Sequence, residues 1–156
     1  MEEAARPATP GDLSRLVELA RAAIAELRPT KGGEMWSRRE ARQEPVGASL
    51  EADLADVDVC VLVGTIDDVV VGYAVAHVDA LGEGGTLARV TDLYAEPDAR
   101  EVGVGEELLN AVIAWATARG CVGIDSLVLP GNRETKNFFE SFGLVARAIV
   151  VHRALP

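Results

Sequence analysis

The segment Asp92-Leu93-Tyr94-Ala95-Glu96-Pro97-Asp98-Ala99-Arg100-Glu101-Val102-Gly103-Val104-Gly105-Glu106 runs from a strand, through a sharp loop, into a helix. Pro97 closes the strand, because it has no amide to donate to a ladder. Gly103 and Gly105 open the helix, where a bare backbone permits close approach and conformations closed to residues with a Cβ. The first turn of a helix leaves N–H groups unpaired, and the helix dipole adds partial positive charge there. With Arg100 beside them, these features make a cradle suited to a phosphate or pyrophosphate. Two better-known phosphate loops are excluded. A dinucleotide fingerprint needs a small residue where Leu108 stands, and a P-loop needs Gly-Lys-Ser/Thr.

Working outward, Leu87 to Ala95 reads as a long strand entered from a turn at Gly82, Gly84 and Gly85. Before it, Val59–Thr65 and Val69–Val78 are rich in β-branched residues and flank Ile66-Asp67-Asp68, the pattern of an antiparallel hairpin. Leu50 and Leu54 mark a helix from about Gly47 to Asp56, and the polar stretch Thr30 to Pro45 reads as a loop or short helix. Thr9-Pro10-Gly11-Asp12 is a helix start, with Thr9 as N-cap and Asp12 reaching back. Leu13, Leu16, Val17, Ala20, Ile24 and Leu27 follow at helical spacing, and Ala4 to Ala8 supplies a short first strand. Downstream, Val104, Leu108, Leu109, Val112, Ile113 and Ala116 form a helical stripe that stops at Gly120. Val122 to Leu129 is a further strand. Asn132 opens a helix carrying Phe138, Phe139 and Phe142, closed by Gly143, and Val145 to Leu155 is a last strand or hairpin. The expected fold is a single α/β domain spanning residues 1–156. Its mixed, mostly antiparallel sheet of six to seven strands is flanked on both faces by about four helices.

Composition narrows the function. The chain has 156 residues, 49% of them hydrophobic and 26% charged, enough for one well-formed core. Acidic residues outnumber basic ones 25 to 15, for a net charge of −10. That balance disfavours nucleic acid and anionic membranes, which demand dense Lys and Arg. No apolar run approaches the length of a membrane span. The acidic opening Met1-Glu2-Glu3-Ala4-Ala5-Arg6 lacks the order of a signal peptide, and Cys60 and Cys121 lie apart in apolar stretches. A cytoplasmic location is expected on these grounds. His77 and His152 have no neighbouring ligands in sequence, so no metal site is expected.

Three phrases of the chain resemble the GNAT superfamily of N-acetyltransferases. The first is Leu93-Tyr94-Ala95-Glu96-Pro97 followed by Arg100-Glu101-Val102-Gly103-Val104-Gly105, similar to that family's acyl-CoA motif. The second is Asn132, Phe138-Phe139 and Gly143-Leu144 at the family's spacing, and the third is the opening Arg6 to Asp12. The resemblance covers nearly the whole chain and is weakest from Thr30 to Asp56. It implies acetyl-CoA as co-substrate and transfer of its acetyl group by direct attack of a primary amine, on a small molecule or on a protein N-terminus or lysine. It implies that the pyrophosphate rests on the amides of Glu101, Val102, Gly103, Val104, Gly105 and Glu106, with Arg100. Pantetheine would pair along Leu93, Tyr94 and Ala95, whose amides polarise the thioester carbonyl. Asn132, Lys136 and Phe139 complete the implied cofactor set.

Two departures from the family pattern bear on mechanism. Its frequent general acid is a Tyr where this chain has Phe139, which has no proton to give; Ser141 is a candidate replacement. Glu101 and Glu106 put negative charge into the phosphate loop. For a general base, Asp92 is the first candidate and Asp125 the second. The acidic net charge favours a cationic acceptor amine, and a homodimer through the strand-rich C-terminus is compatible with the pattern. The alternative is a module of the same fold that binds acyl-CoA as a sensor or scaffold with weak or no turnover.

Overall fold

The computed structural model describes residues 1–156. Five strands form one sheet in the order of the chain: β1 (Glu3–Pro7), β2 (Cys60–Ile66), β3 (Val69–Ala80), β4 (Thr86–Ala95) and β5 (Gly123–Ser126). The first three pairings are antiparallel and β4 with β5 is parallel. The helices are α1 (Leu13–Leu27), α2 (Gly33–Arg39), α3 (Val46–Ala55), α4 (Val104–Ala118) and α5 (Arg133–Ser141). Short 3-10 turns at Pro10–Asp12 and Pro97–Val102 precede α1 and α4.

Local chemistry explains most boundaries. At the entrance to α1, the Asp12 carboxylate accepts from the Thr9 amide at 2.8 Å and from Arg6 at 2.8 and 3.0 Å. Those hydrogen bonds, Arg6 first, outweigh desolvation and hold the Asp12 carboxyl down at about 2. The β2–β3 hairpin turns on Asp67 and Asp68, whose φ values of 47° and 68° are the left-handed pair of a type I′ turn. Short polar side chains tolerate that region.

Two cores sit on the two faces of the sheet. On one, α1 and α3 bury Leu16, Leu19, Val46 and Leu50 against Val61, Val63, Tyr73 and Val75. On the other, α4 buries Val104, Leu108 and Val112 against Leu62, Ala74, Ala76 and Val90. Close approach of α4 depends on Gly64 of β2. A Cβ there would lie 2.6 Å from Val104 Cγ1 and 3.1 Å from the Leu108 side chain. The start of α4 is thereby seated on the sheet.

The sheet is smaller than the sequence pattern implies. Five strands form rather than six to seven, and five α-helices where about four were expected, because the polar segment after α1 supplies the seven-residue α2. Strand β5 ends at Ser126 instead of Leu129, since β4 offers it a partner only over Leu87–Val90. Residues 145–155 form neither strand nor hairpin. They follow α5 with no ladder partner.

Candidate active site

One extra residue in β4 shapes the site. Ala76 pairs with Val90 and Val75 with Asp92, so Thr91 is a bulge with no partner of its own on β3. Side chains alternate along a strand, and the bulge shifts that alternation by one. Val90 and Leu93 both pack against the α4 core, whereas Tyr94 packs against the α1–α3 core. Asp92 is turned to the α1–α3 side, where it meets Tyr73 and Arg42.

At the same place β4 and β5 part company. Their pairing stops at Val90 and Ser126, while β4 continues alongside β3 to Ala95. From Thr91 to Ala95, β4 therefore has a free edge, and its outward N–H and C=O groups have no strand to bond. Leu93, Tyr94 and Ala95 lie on that edge. The chain then passes through Pro97–Val102 to Gly103, which takes φ of 91° as the N-cap of α4. A side chain at Gly103 would be strained in that region, although space is open, its nearest neighbour being Glu3 Cγ at 3.9 Å. The first-turn amides of Val104, Gly105 and Glu106 point back into this opening. One short loop, Pro97–Val102, joins the free strand edge to the helix N-terminus, so the chain carries unpaired main-chain donors at both ends of it, the groups an acyl-CoA would require. Glu101, Glu106 and Glu107 bring negative charge to this loop and first turn.

The other expected cofactor residues fall into two groups. Asn132 caps α5, its Oδ1 accepting from the Thr135 amide at 3.3 Å, and Phe138 of that helix packs near Gly105. The second aromatic of the pair, Phe139, is buried and meets Phe138 edge to face with ring centroids 5.6 Å apart. Arg100 and Lys136, in contrast, have their charges engaged within the protein. Arg100 donates to Ala95 O at 2.9 Å and to both oxygens of Glu26 at 2.7–2.8 Å, with its guanidinium 5.4 Å from the Tyr94 ring. It pins the loop to the end of β4. Lys136 pairs with Glu140 one turn along α5 at 3.0 Å.

The catalytic candidates are also occupied. Asp92 accepts from Arg42 Nε at 3.1 Å and Nη2 at 2.9 Å, from Tyr73 Oη at 2.7 Å and from Thr91 Oγ1 at 2.7 Å. A carboxylate offers about four lone-pair sites, and here four donors fill them. The geometry assigns Asp92 to structure rather than to proton abstraction. Asp125 is paired with Arg147, and the Ser141 hydroxyl donates to Phe138 O at 2.6 Å within its own helix.

What the sequence did not reveal is the cluster around Arg42. That side chain is only 6% exposed and lies between Asp92 and Asp53, with Nη1 2.8 Å from Asp53 and 2.6 Å from Ser49 Oγ. Burial works against its charge, but hydrogen bonds and attraction from Asp92 and Asp53 outweigh it and raise its pKa further. Tyr73 Oη is pushed far up by burial and then by Asp92. Beside these groups a cavity of about 180 Å³ opens on Glu40, Asp53, His77, Thr91 and Asp92, with no hydrophobic side chain in its wall. Three carboxylates face one guanidinium, which leaves the cavity acidic. His77 Nε2 lies 3.7 Å from Asp53 Oδ2. The only sequence signal was Asp92 itself: a carboxylate in a β-branched, half-buried strand requires a cation from elsewhere.

Comparison with known proteins agrees with this architecture. No curated protein matches the chain in sequence. Among solved structures, a tetramutant of the BH1408 protein from Bacillus halodurans superposes with a TM-score of 0.81 at 20% identity, covering 97% of this chain and 99% of that one. AAC(6')-Iy, in complex with the bisubstrate analog CoA-S-monomethyl-acetylneamine, gives 0.77 at 19% identity over 100% and 99%. An aminoglycoside acetyltransferase from an uncultured soil metagenomic sample gives 0.74 at 19% over 99% and 95%. The sequence pattern described as Acetyltransferase (GNAT) family matches residues 20–144. With the sheet, the parted β4–β5 edge and the glycine-opened α4 all in register with that match, the chain belongs to the GNAT acetyltransferase family.

Proposed function

We propose that this chain transfers the acetyl group of acetyl-CoA to a primary amine that is polar and positively charged. The observation that carries the reading is the acidic, wholly polar cavity lying beside Thr91 and Asp92, where β4 and β5 part. Acetyl-CoA, when bound, supplies an acyl group activated by a thiol leaving group. The chain's own residues do the rest. The amides of Glu101 to Glu106 hold the pyrophosphate, and the free edge at Leu93, Tyr94 and Ala95 orients the pantetheine and polarises the carbonyl. Asn132 supports the arm, and Phe138 and Phe139 wall the gap with apolar surface. Asp53 and Glu40 attract a cationic acceptor, and the ring of His77 takes a proton from its ammonium group before attack. In the transfer the amine nitrogen would bond to the acyl carbon as the carbon–sulfur bond breaks, the sulfur leaving as thiolate and taking up the proton that the nitrogen sheds on becoming an amide. Holding both partners in one gap supplies much of the rate.

Phe139 favours a second reading. It cannot protonate a leaving thiolate, and the Ser141 hydroxyl is turned into α5. A module that binds acyl-CoA without turnover would have this composition. Calorimetric titration with acetyl-CoA and with CoA, followed by an amine panel monitored for thiol release, separates the two. Binding near one per chain with amine-dependent release supports the enzyme. Binding without release for any amine supports the binding module. No binding of either nucleotide refutes both.

A further inference from the structure

We infer that Thr91 is a positioning residue: its hydroxyl, held by Asp92, locks the bulge in β4 and thereby aims the Leu93 N–H, the first outward donor beyond the bulge. The inference rests on the acyl-transfer reading for what that donor serves, and on the sheet alone for how it is held. A bulged residue gives up its place in the ladder, so some other bond must fix its conformation. Thr91 lies between Val90, which pairs with Ala76, and Asp92, which pairs with Val75. Its Oγ1 donates to Asp92 Oδ1 at 2.7 Å. The other acceptor within reach is Val75 O at 3.4 Å, the carbonyl of the residue opposite Asp92. One hydroxyl thus ties the bulge to the residue that follows it and lies against the partner strand.

The anchor is firm. Tyr73 from β3 and Arg42 from the segment before α3 donate to the same buried carboxylate and hold it in place. Thr91 is β-branched and stiff at χ1, so an anchored Oγ1 leaves its backbone little room to turn. Beyond the bulge, N–H groups alternate between the two sides of the strand. The Glu96 amide donates to Val71 O on β3, so alternation turns the N–H groups of Leu93 and Ala95 outward. Ala95 O is outward as well, where Arg100 Nε donates to it at 2.9 Å. Burial of Leu93 against the α4 core and of Tyr94 against the α1–α3 core fixes the register of this stretch. Register alone leaves the angle at the bulge free, and the hydroxyl sets that angle.

The test pairs Thr91→Val, which keeps the shape and loses the hydroxyl, with Thr91→Ser, which keeps the hydroxyl. Hydrogen exchange of the ligand-free chain reads the lock directly. In the Val variant the amides of Asp92 and Tyr94, turned toward β3, should exchange about tenfold faster, because a hydrogen bond to a charged group is lost. Those of Val61, Leu62 and Val63 in β2 should keep their rates. Turnover of acetyl-CoA with an amine reads the aim. There kcat should fall roughly tenfold to a hundredfold, the cost of a small misplacement, with the acetyl-CoA Kd and the acceptor KM within about twofold. The Ser variant should restore both readouts. Unchanged exchange in the Val variant overturns the inference, as does a Ser variant that behaves like the Val variant. So does a raised acceptor KM at unchanged kcat, the result expected if Thr91 only lines the cavity. A wild-type chain that neither binds acetyl-CoA nor releases thiol refutes the acyl-transfer reading, and the exchange measurement, which needs no ligand, still decides for or against the lock.

Discussion

Replacing Arg42 with Met tests whether the polar cluster is one unit. The guanidinium holds Asp92 and Asp53 at 2.8–3.1 Å with almost no exposure to water. Removing one member of a buried ion network leaves uncompensated charge, at a cost of about 3–5 kcal/mol. Unfolding entropy for a chain of 156 residues is about 0.33 kcal/mol/K, so Tm should fall by roughly 9–15 °C. Without Arg42, the Asp53 and Asp92 carboxylates are left with no countercharge between them. Adding Asp92→Asn should return part of the loss, since one stranded charge is gone. Differential scanning calorimetry of the single and double variants is the assay. A loss below about 1 kcal/mol, or no recovery on adding Asp92→Asn, refutes the claim that Arg42 neutralises both carboxylates.

Gly103→Glu should abolish acetyl-CoA binding by calorimetry, because it puts a charged side chain at φ of 91° beside the phosphate cradle; the strain costs only about 1–2 kcal/mol, so circular dichroism should still report a folded protein. Gly64→Ala places a methyl 2.6 Å from Val104 Cγ1 and should cost about 1–3 kcal/mol by overpacking, with weaker acetyl-CoA affinity as the start of α4 is pushed off the sheet. The Asp12 carboxyl, held at about 2 chiefly by Arg6, contributes stability that is full above its unfolded value near 4 and lost as pH falls through about 2. Asp12→Asn should therefore lower Tm at pH 7 and lose that difference at pH 2. Cys60 is buried, and burial pushes its thiol up to about 11. Ellman's reagent should label the partly exposed Cys121 in the native protein and reach Cys60 only in denaturant; two equally fast thiols would contradict the packing.

Much of this molecule was written in patterns that local chemistry enforces. The N-cap at Thr9 with Asp12, the Asp67-Asp68 turn and the helix between Gly103 and Gly120 follow from rules that involve a few neighbours. The glycine-opened start of α4 was legible for the same reason, since its glycines and helix start lie in one short segment. The Arg42 cluster was not. Its members come from α3, β3, β4 and the loop after α2, and only the fold brings Asp92 to an arginine 50 residues away. Strand alternation along β4 was ambiguous because the bulge at Thr91 changes its phase, and nothing in Val90-Thr91-Asp92 announces a bulge. The last strand was misread in a different way: Ile149 to Val151 has strand-forming side chains, but forming a ladder needs a neighbour that the single chain does not supply.

The same bulge divides the labour of β4 between its edge and its face. On the proposed reading, main-chain groups along the edge would serve any acyl-CoA alike, because every residue carries the same amide. Side chains on the face, beginning with Asp92, meet α3 and the segment before it, which line the polar cavity proposed for the acceptor. On that proposal, substitutions in residues 40–53 remake the choice of amine while the edge proposed for the acyl group keeps its form. In engineering terms, this is a socket with a fixed donor contact and an exchangeable acceptor plate, joined through a single strand.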